Sequence, residues 1–593
     1  MIFGKFINKY YLKYIISFVI GAIALIVVDY SQLRLPEIVG ELIDALKLWD
    51  EANRPHEVGV AILETLYGYR LELVRLAIIM FIGRFTWRYA IYGAAIKIET
   101  DLREDMFNHS LKLGQDFYSD NKTGSLMALY NNDLRKVKEC MGDGVLMLVD
   151  ATFLGIFAFS KMLNLNVGLA LICLIPLVIV LVFSLAIGKK MTFKFKRKQE
   201  AYEHLSDFTQ ENFSGISVVK AFVKEDVEIK EFNKINEENV ETHMSFIKFK
   251  TIVDSGINFM MIAIILIILG AGGYIVSLQT SLTPGQLQEF IAYFGALTWP
   301  IMAVGEVINL TTQGLASKRR LEEFFNKEVT LINNDNVDDE IKGEIEFRNL
   351  VFKYSEDEKE VLNKVSFKIN KGEHVGLIGP TGAGKSTIVD LLLRGYNINE
   401  NQLFIDGKDI MDYDVKKVRD SIGYVPQDNF LFSETIKNNI AFAYETIEEE
   451  DIVKSAKLAN VHDNIVEFNH SYETILGERG VTLSGGQKQR VSIARALIKD
   501  PKILILDDSL SAVDTKTEEL ILENVKKTRE NKTTIFIAHR ISTVANLDKI
   551  IVMKDHKIES VGTHQELLKV SDIYKELNKI QSLERKIEGE DNE

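Results

Sequence analysis

Residues 163–188 and 255–288 contain no charged side chain. An α-helix crosses a bilayer with about 20 mostly apolar residues. Helices and closed barrels alone satisfy every backbone hydrogen bond in hydrocarbon. Two such runs therefore commit the first half of the chain to a helical membrane fold. Four weaker runs lie at 14–28, 76–96, 145–160 and 290–305; Arg84 and Arg88 interrupt the second and Asp150 the third, and Glu306 ends the fourth. The reading is six spans within residues 1–325. No small-residue cleavage site follows the first span, so it reads as retained rather than as a cleaved leader.

Loop charge suggests an orientation. Residues 97–143 hold seven Lys and Arg and residues 189–250 hold twelve, whereas the short alternate loops carry almost none. Lysines concentrate on the cytoplasmic side of membrane proteins. Lys5, Lys9 and Lys13 agree, whereas the loop after the first span, with Arg34, Lys47, Arg54, Arg70 and Arg75, is uninformative. The expectation is a multi-pass protein of the plasma (inner) membrane, with the N-terminus, both long loops and the C-terminal half in the cytoplasm. Each long loop is helix-compatible with a polar break, at 117–124 and 210–215, ending in Gly124 and Gly215. The intramembrane ionisable groups Arg84, Arg88, Asp150 and Glu306 read either as interhelical partners or as a polar lining for a solute.

Composition changes at 326–343, a polar, acidic linker, and residues 344–580 then alternate short β-branched strands with helical patterns, an α/β domain. A charged tail occupies 581–593. With two cysteines, Cys140 and Cys173, a disulfide scaffold and a cysteine-built zinc cluster are excluded. A net charge of −14 argues against a nucleic-acid partner.

The α/β half carries the chemistry. Gly379-Pro-Thr-Gly-Ala-Gly-Lys-Ser-Thr387 fits the P-loop pattern and sits between an apolar strand and a helix, the context that pattern requires. Its glycines (Gly379, Gly382, Gly384), with Thr381 and Thr387, let backbone amides close on phosphate oxygens. Lys385 is placed to reach the β- and γ-phosphates of ATP, and Ser386 to ligate Mg²⁺. Ile503-Leu-Ile-Leu-Asp507 reads as a buried strand ending in a second Mg²⁺ carboxylate, Asp507.

Between these lies Leu483-Ser484-Gly485-Gly486-Gln487. Here the chain resembles the ATP-binding cassette (ABC) family, whose signature is LSGGQ. Other elements fall in family order: Tyr354 as the aromatic on adenine, Gln427 as the Q-loop glutamine and a metal contact, 477–480 as the loop before the signature, 511–514 as the D-loop and His539 as the switch histidine. The resemblance implies a half-transporter: an all-α six-helix membrane domain followed by an α/β P-loop ATPase, with coupling helices at the two loop breaks. It implies that each ATP lies between one chain's P-loop and another chain's Ser484–Gln487, so that a second half-transporter is required. It also implies a small amphipathic, lipid or peptide solute moved through membrane lipid.

One position departs from the family. The residue after Asp507 is normally a glutamate that polarises the attacking water, and here it is Asp508. A carboxylate drawn back by about an ångström can lower a rate about 100-fold. Within the family, an intact signature beside a shortened base implies one subunit of a heterodimeric multidrug-type exporter. This chain's own P-loop would then form the slow site, and its signature would complete the fast site of a partner that keeps the glutamate. A homodimer with two slow sites, an importer on the same scaffold and an ATP-gated membrane protein remain as alternatives.

Overall fold

The computed structural model describes residues 4–590 except 52–55, 279–281, 335, 338, 355–358, 478–479 and 481. Arg54, Glu478, Arg479 and the chain end 591–593 therefore lie outside the described residues, as does the side chain of Lys5. The chain divides into two compact units, one of residues 1–110 with 124–327 and one of 111–123 with 328–593.

The first unit is helical. Its first long helices are α1 (Gly4–Glu51) and α2 (His56–Ser110); the short α3 (Gln115–Asp120), at the break after them, groups with the second unit. A segment of α4 (Thr123–Ala128), α5 (Leu134–Glu139) and α6 (Val145–Leu165) is joined by two π-helical turns, Leu129–Asp133 and Cys140–Gly144. Then follow α7 (Val167–Ser214), the short α8 (Ile216–Ala221), α9 (Glu225–Ser277) and α10 (Pro284–Phe325). Among the described residues, α1, the 123–165 segment, α9 and α10 are long and apolar enough to cross a membrane. The two remaining expected spans fall in α2, which carries Arg84 and Arg88, and in α7, whose apolar stretch covers Val167–Val180.

Local chemistry explains the helix starts. The charge-free run from 163 is cut at Asn166, whose side chain accepts from Leu169 N and caps α7. The run from 255 is cut before α10, where Thr283 and Gln286 form a capping box with Pro284 in the first turn. Where α10 starts it crosses α1 so closely that a Cβ on Gly285 would lie 2.0 Å from the Gly40 carbonyl oxygen. Polar side chains lock the helices near this crossing. Arg34 pairs with Glu37 (2.7 Å), Glu41 (3.1 Å) and Glu72 (2.9 Å), and Glu37 also receives Lys161 and, at 3.0 Å, the Tyr293 hydroxyl. Ionisable groups on α1, α2, α6 and α10 thus satisfy one another.

The second unit has two sheets. The smaller is antiparallel in the order β2-β1-β4-β5, from β1 (Ile345–Phe352), β2 (Leu362–Ile369), β4 (Leu403–Ile405) and β5 (Lys408–Asp409). The larger has the order β10-β9-β3-β8-β7-β6. Its strands β3 (His374–Ile378), β6 (Ile422–Val425), β7 (Ile503–Asp507), β8 (Thr533–Ile537) and β9 (Lys549–Lys554) are parallel, with β10 (Lys557–Gly562) antiparallel at one edge. β7 shows why: Ile503 and Ile505 enter one apolar core with β1 and β2, while Leu504 and Leu506 enter a second core on the opposite face. A strand buried on both sides reads as a continuous apolar run, as parallel sheets require.

Candidate nucleotide-binding site

β3 runs directly into the P-loop, which opens helix α11 (Lys385–Leu392). Gly384 is the N-cap of that helix with φ +97°, and a Cβ there would press to 2.8 Å from the Val361 carbonyl, so only glycine fits. Lys385 is buried and folds back on its own loop, donating to the carbonyls of Gly379 (2.7 Å) and Pro380 (3.0 Å). Burial pulls its ammonium pKa below the usual lysine value, opposed by the charges of Asp507 and Asp508. Such a desolvated cation at the mouth of a loop of amides is matched to a polyphosphate.

Asp507 ends β7 and is 3% exposed. Burial raises its carboxyl pKa, opposed by a hydrogen bond with Ser386 and helped by the nearby Asp508 charge. Ser386 and Asp507 thus form one contact pair of oxygen donors beside Lys385. Gln427 lies in the exposed segment after β6. Tyr354 presents a ring that is 40% exposed, set edge-on against Phe352 and Tyr396, with its hydroxyl 2.9 Å from Thr387 Oγ1. Its hydroxyl also meets Asp390, which the sequence reading did not single out; burial first, then the Asp507 charge, pushes that carboxyl up to about 6. The signal available in sequence was its place one helical turn beyond Ser386.

Asp508 has φ 44° and donates its N–H to Ile537 O at 2.8 Å, while its own carbonyl accepts from Ser511 Oγ at 2.9 Å. Asp508 and the exposed His539 line one small cleft with Ser511, Glu518 and Arg540. The structure therefore brings Lys385, Ser386, Asp507 and Thr387 together with Tyr354, and Asp508 with His539.

The signature stands apart from both clusters. Ser484 caps α12 (Gly485–Leu497): its side chain accepts from Gln487 N at 3.3 Å, and Gln487 Oε1 accepts from Ser484 N at 2.9 Å. Ser484 and Gly485 face solvent at this helix N-terminus, and the capping bonds of Ser484 stay within the signature itself. Gln489, buried on α12 and also missed in sequence, holds Ser511 and Ala512, strapping the expected D-loop to the signature helix.

Comparison with known proteins agrees with these two halves. Residues 13–301 match the ABC transporter transmembrane region and residues 362–511 match the ABC transporter family. The chain is 35% identical over 588 residues to YheI of Bacillus subtilis, a probable multidrug resistance ABC transporter ATP-binding/permease protein, covering 99% of this chain and 98% of the relative. It is 33% identical over 567 residues to MdlA of Escherichia coli, a multidrug resistance-like ATP-binding protein, covering 95% and 94%. A solved bacterial Atm1-family ABC exporter with ATP bound superposes with a TM-score of 0.75 at 25% identity, over 97% of this chain and 98% of the other. A helical membrane unit, a two-sheet P-loop unit and full-length kinship of this degree lead to one conclusion: the chain belongs to the ABC transporters, membrane proteins in which ATP hydrolysis drives transport.

Proposed function

We propose that this chain is one half of a heterodimeric multidrug-type exporter whose own P-loop forms the slow ATP site. The observation that carries this reading is Asp508 behind an intact, solvent-facing Ser484–Gln487 signature. Asp508 is held by its amide on Ile537 and its carbonyl on Ser511, so backbone adjustment does not restore the missing methylene. Its carboxylate falls short of the water it must orient, whereas the signature is free to complete another chain's site.

In this reading Tyr354 stacks on adenine, and Gly379, Thr381, Gly382, Gly384 and Thr387 line the phosphate cradle. Lys385 exchanges its loop carbonyls for the β- and γ-phosphates. Ser386 and Asp507, with Gln427, would hold Mg²⁺; an all-oxygen set suits that hard cation. When bound, Mg²⁺ neutralises charge on the phosphates. Asp508 and His539 orient the water and the γ-phosphate. Two nucleotide-binding units close on ATP because the closed state binds it more tightly, and loss of the γ-phosphate contacts reopens them.

Exposed apolar groups support assembly with a second chain. Phe213, Val218, Phe222 and Val223 project around α8 at the tip of the second long loop. The nucleotide-binding unit exposes an aromatic patch of Phe430, Phe432, Phe442 and Tyr444. In our reading α8 of each chain docks on this patch of its partner and carries closure to the helices. The loops, the N-terminus and the nucleotide-binding unit lie in the cytoplasm, and the solute is a small amphipathic molecule, a lipid or a peptide.

The test is hydrolysis by this chain purified alone in lipid. It is expected to turn over ATP far more slowly than a complete exporter, and to gain activity when its native partner is added. Brisk hydrolysis by the chain alone would discard the heterodimer.

A further inference from the structure

The segment that carries His539 is not free-standing. It begins where β8 ends and passes through Arg540 into the short helix Ile541–Val544. Two elements grip it. From α13 (Thr515–Thr528), buried Glu518 accepts from Thr543 Oγ1 at 2.5 Å and pairs with Arg540 at 3.5 Å. From α14 (Asp572–Glu590), Gln581 donates Nε2–H to the His539 carbonyl at 2.7 Å and accepts Ile541 N–H at 2.7 Å. One amide side chain thus closes on the backbone at both sides of Arg540, directly beside the histidine.

The helix that supplies Gln581 is firmly seated. Tyr574 is fully buried, with its hydroxyl 2.7 Å from His564 Nδ1. Ile573 and Leu577 pack on a core shared with Ile378, Ala538, Ile541 and Val544, that is, with the strand end that launches the P-loop and with the histidine segment itself. Sequence alone places Gln581 at the start of a charged tail; in the structure it is in mid-helix, about two and a half turns from the start of an anchored element.

We infer that Gln581 is a positioning residue for ATP hydrolysis: it fixes the backbone of His539 so that the imidazole stays in the cleft of Asp508. A geometric requirement explains why glutamine serves. The side chain must give one hydrogen bond and take one at fixed spacing, which a carboxylate or an alkyl group cannot do. The effect is catalytic in direction because the loop carries no nucleotide-binding group other than His539, so its looseness spares occupancy and lowers rate. This inference rests on the proposed role of His539 at this chain's own P-loop.

The experiment uses the full-length transporter assembled in lipid with its native partner. 8-Azido-ATP labelled at the α- or γ-phosphate is cross-linked after a timed chase, and the subunits are separated. α-Label on this chain reads occupancy of its own site, and loss of γ-label reads hydrolysis there. Gln581→Ala and Gln581→Glu are expected to slow γ-label loss about tenfold with α-label unchanged. Faster amide exchange in the 539–544 peptide should accompany this, with strand Ile503–Asp507 still protected. In a His539→Ala background, Gln581→Ala should add no further loss, as expected if it acts only through the histidine. Unchanged γ-label loss despite faster exchange overturns the inference. An equal further loss in the His539→Ala background also overturns it, by showing a general effect on folding. Absence of any γ-label loss in the wild type overturns it too, while leaving the heterodimer reading intact. If His539→Ala itself changes nothing, the proposed role of His539 falls and this inference falls with it, while the heterodimer reading, which rests on Asp508 and the signature, stands.

Discussion

In the proposed mechanism, one methylene at Asp508 sets the rate of this chain's own site. The amide and carbonyl of Asp508 are both spent on neighbours, Ile537 and Ser511, so the position of its Cβ is set at the ends of β7 and β8. Only a longer side chain extends its reach. Asp508→Glu is therefore expected to raise hydrolysis at this chain's own site at least about tenfold, measured as loss of γ-label from this chain. Asp390 offers a second prediction at this scale. Its folded pKa, about 6, lies above the ordinary aspartate value of 3.8, because burial disfavours the ionised form. A raised acid pKa means the folded state binds the proton more tightly than the unfolded chain. This group's contribution is most favourable below pH 3.8 and declines as pH rises through about 6. Asp390→Asn should raise the thermal midpoint at pH 7.5 and flatten its change between pH 5 and 7.5, because the amide carries no charge to desolvate and still accepts from Tyr354. A midpoint unchanged at pH 7.5 would contradict this.

Helices meet here through contacts that tolerate little change. The α1–α10 crossing has no room for a methyl group at Gly285, since the Gly40 carbonyl already occupies it. Gly285→Ala must push the two helices apart, with a cost of about 1–3 kcal/mol typical of overpacking. Thermal unfolding of the protein in detergent should show this as a lowered midpoint, whereas Gly295→Ala, which has open space, should not. The starts of α7 and α10 show how far patterns in sequence reach. The charge-free runs revealed that helices were present, but hydropathy alone passes through the caps at Asn166 and Thr283. Likewise, the helix-compatible composition of the first long loop does not reveal the π-turns Leu129–Asp133 and Cys140–Gly144, because residue types that favour an α-helix are equally accommodated by a single wider turn inside it.

At the scale of the whole molecule, the exposed apolar groups around α8 are the clearest sign of incompleteness. Monomeric proteins rarely leave a contiguous apolar patch in water, and Phe222 and Val223 are 71% and 80% exposed. Replacing both with serine is expected to leave ATP binding unchanged and to abolish solute movement into inside-out vesicles. Retained ATP-dependent accumulation would remove α8 from the coupling route.

The sequence by itself determined the two-part architecture, the phosphate-binding loop and the signature. These features are local: apolar run length, glycine spacing and strand patterning need only neighbours along the chain. Tertiary structure alone decided that Asp390 and Thr387 hold Tyr354, that Gln489 ties the signature helix to the next loop, and that Gln581 closes on the backbone around His539. Each of those pairings joins residues brought together by packing of separate elements, and a polar side chain in a helix looks the same in sequence whether it meets water or a buried carbonyl.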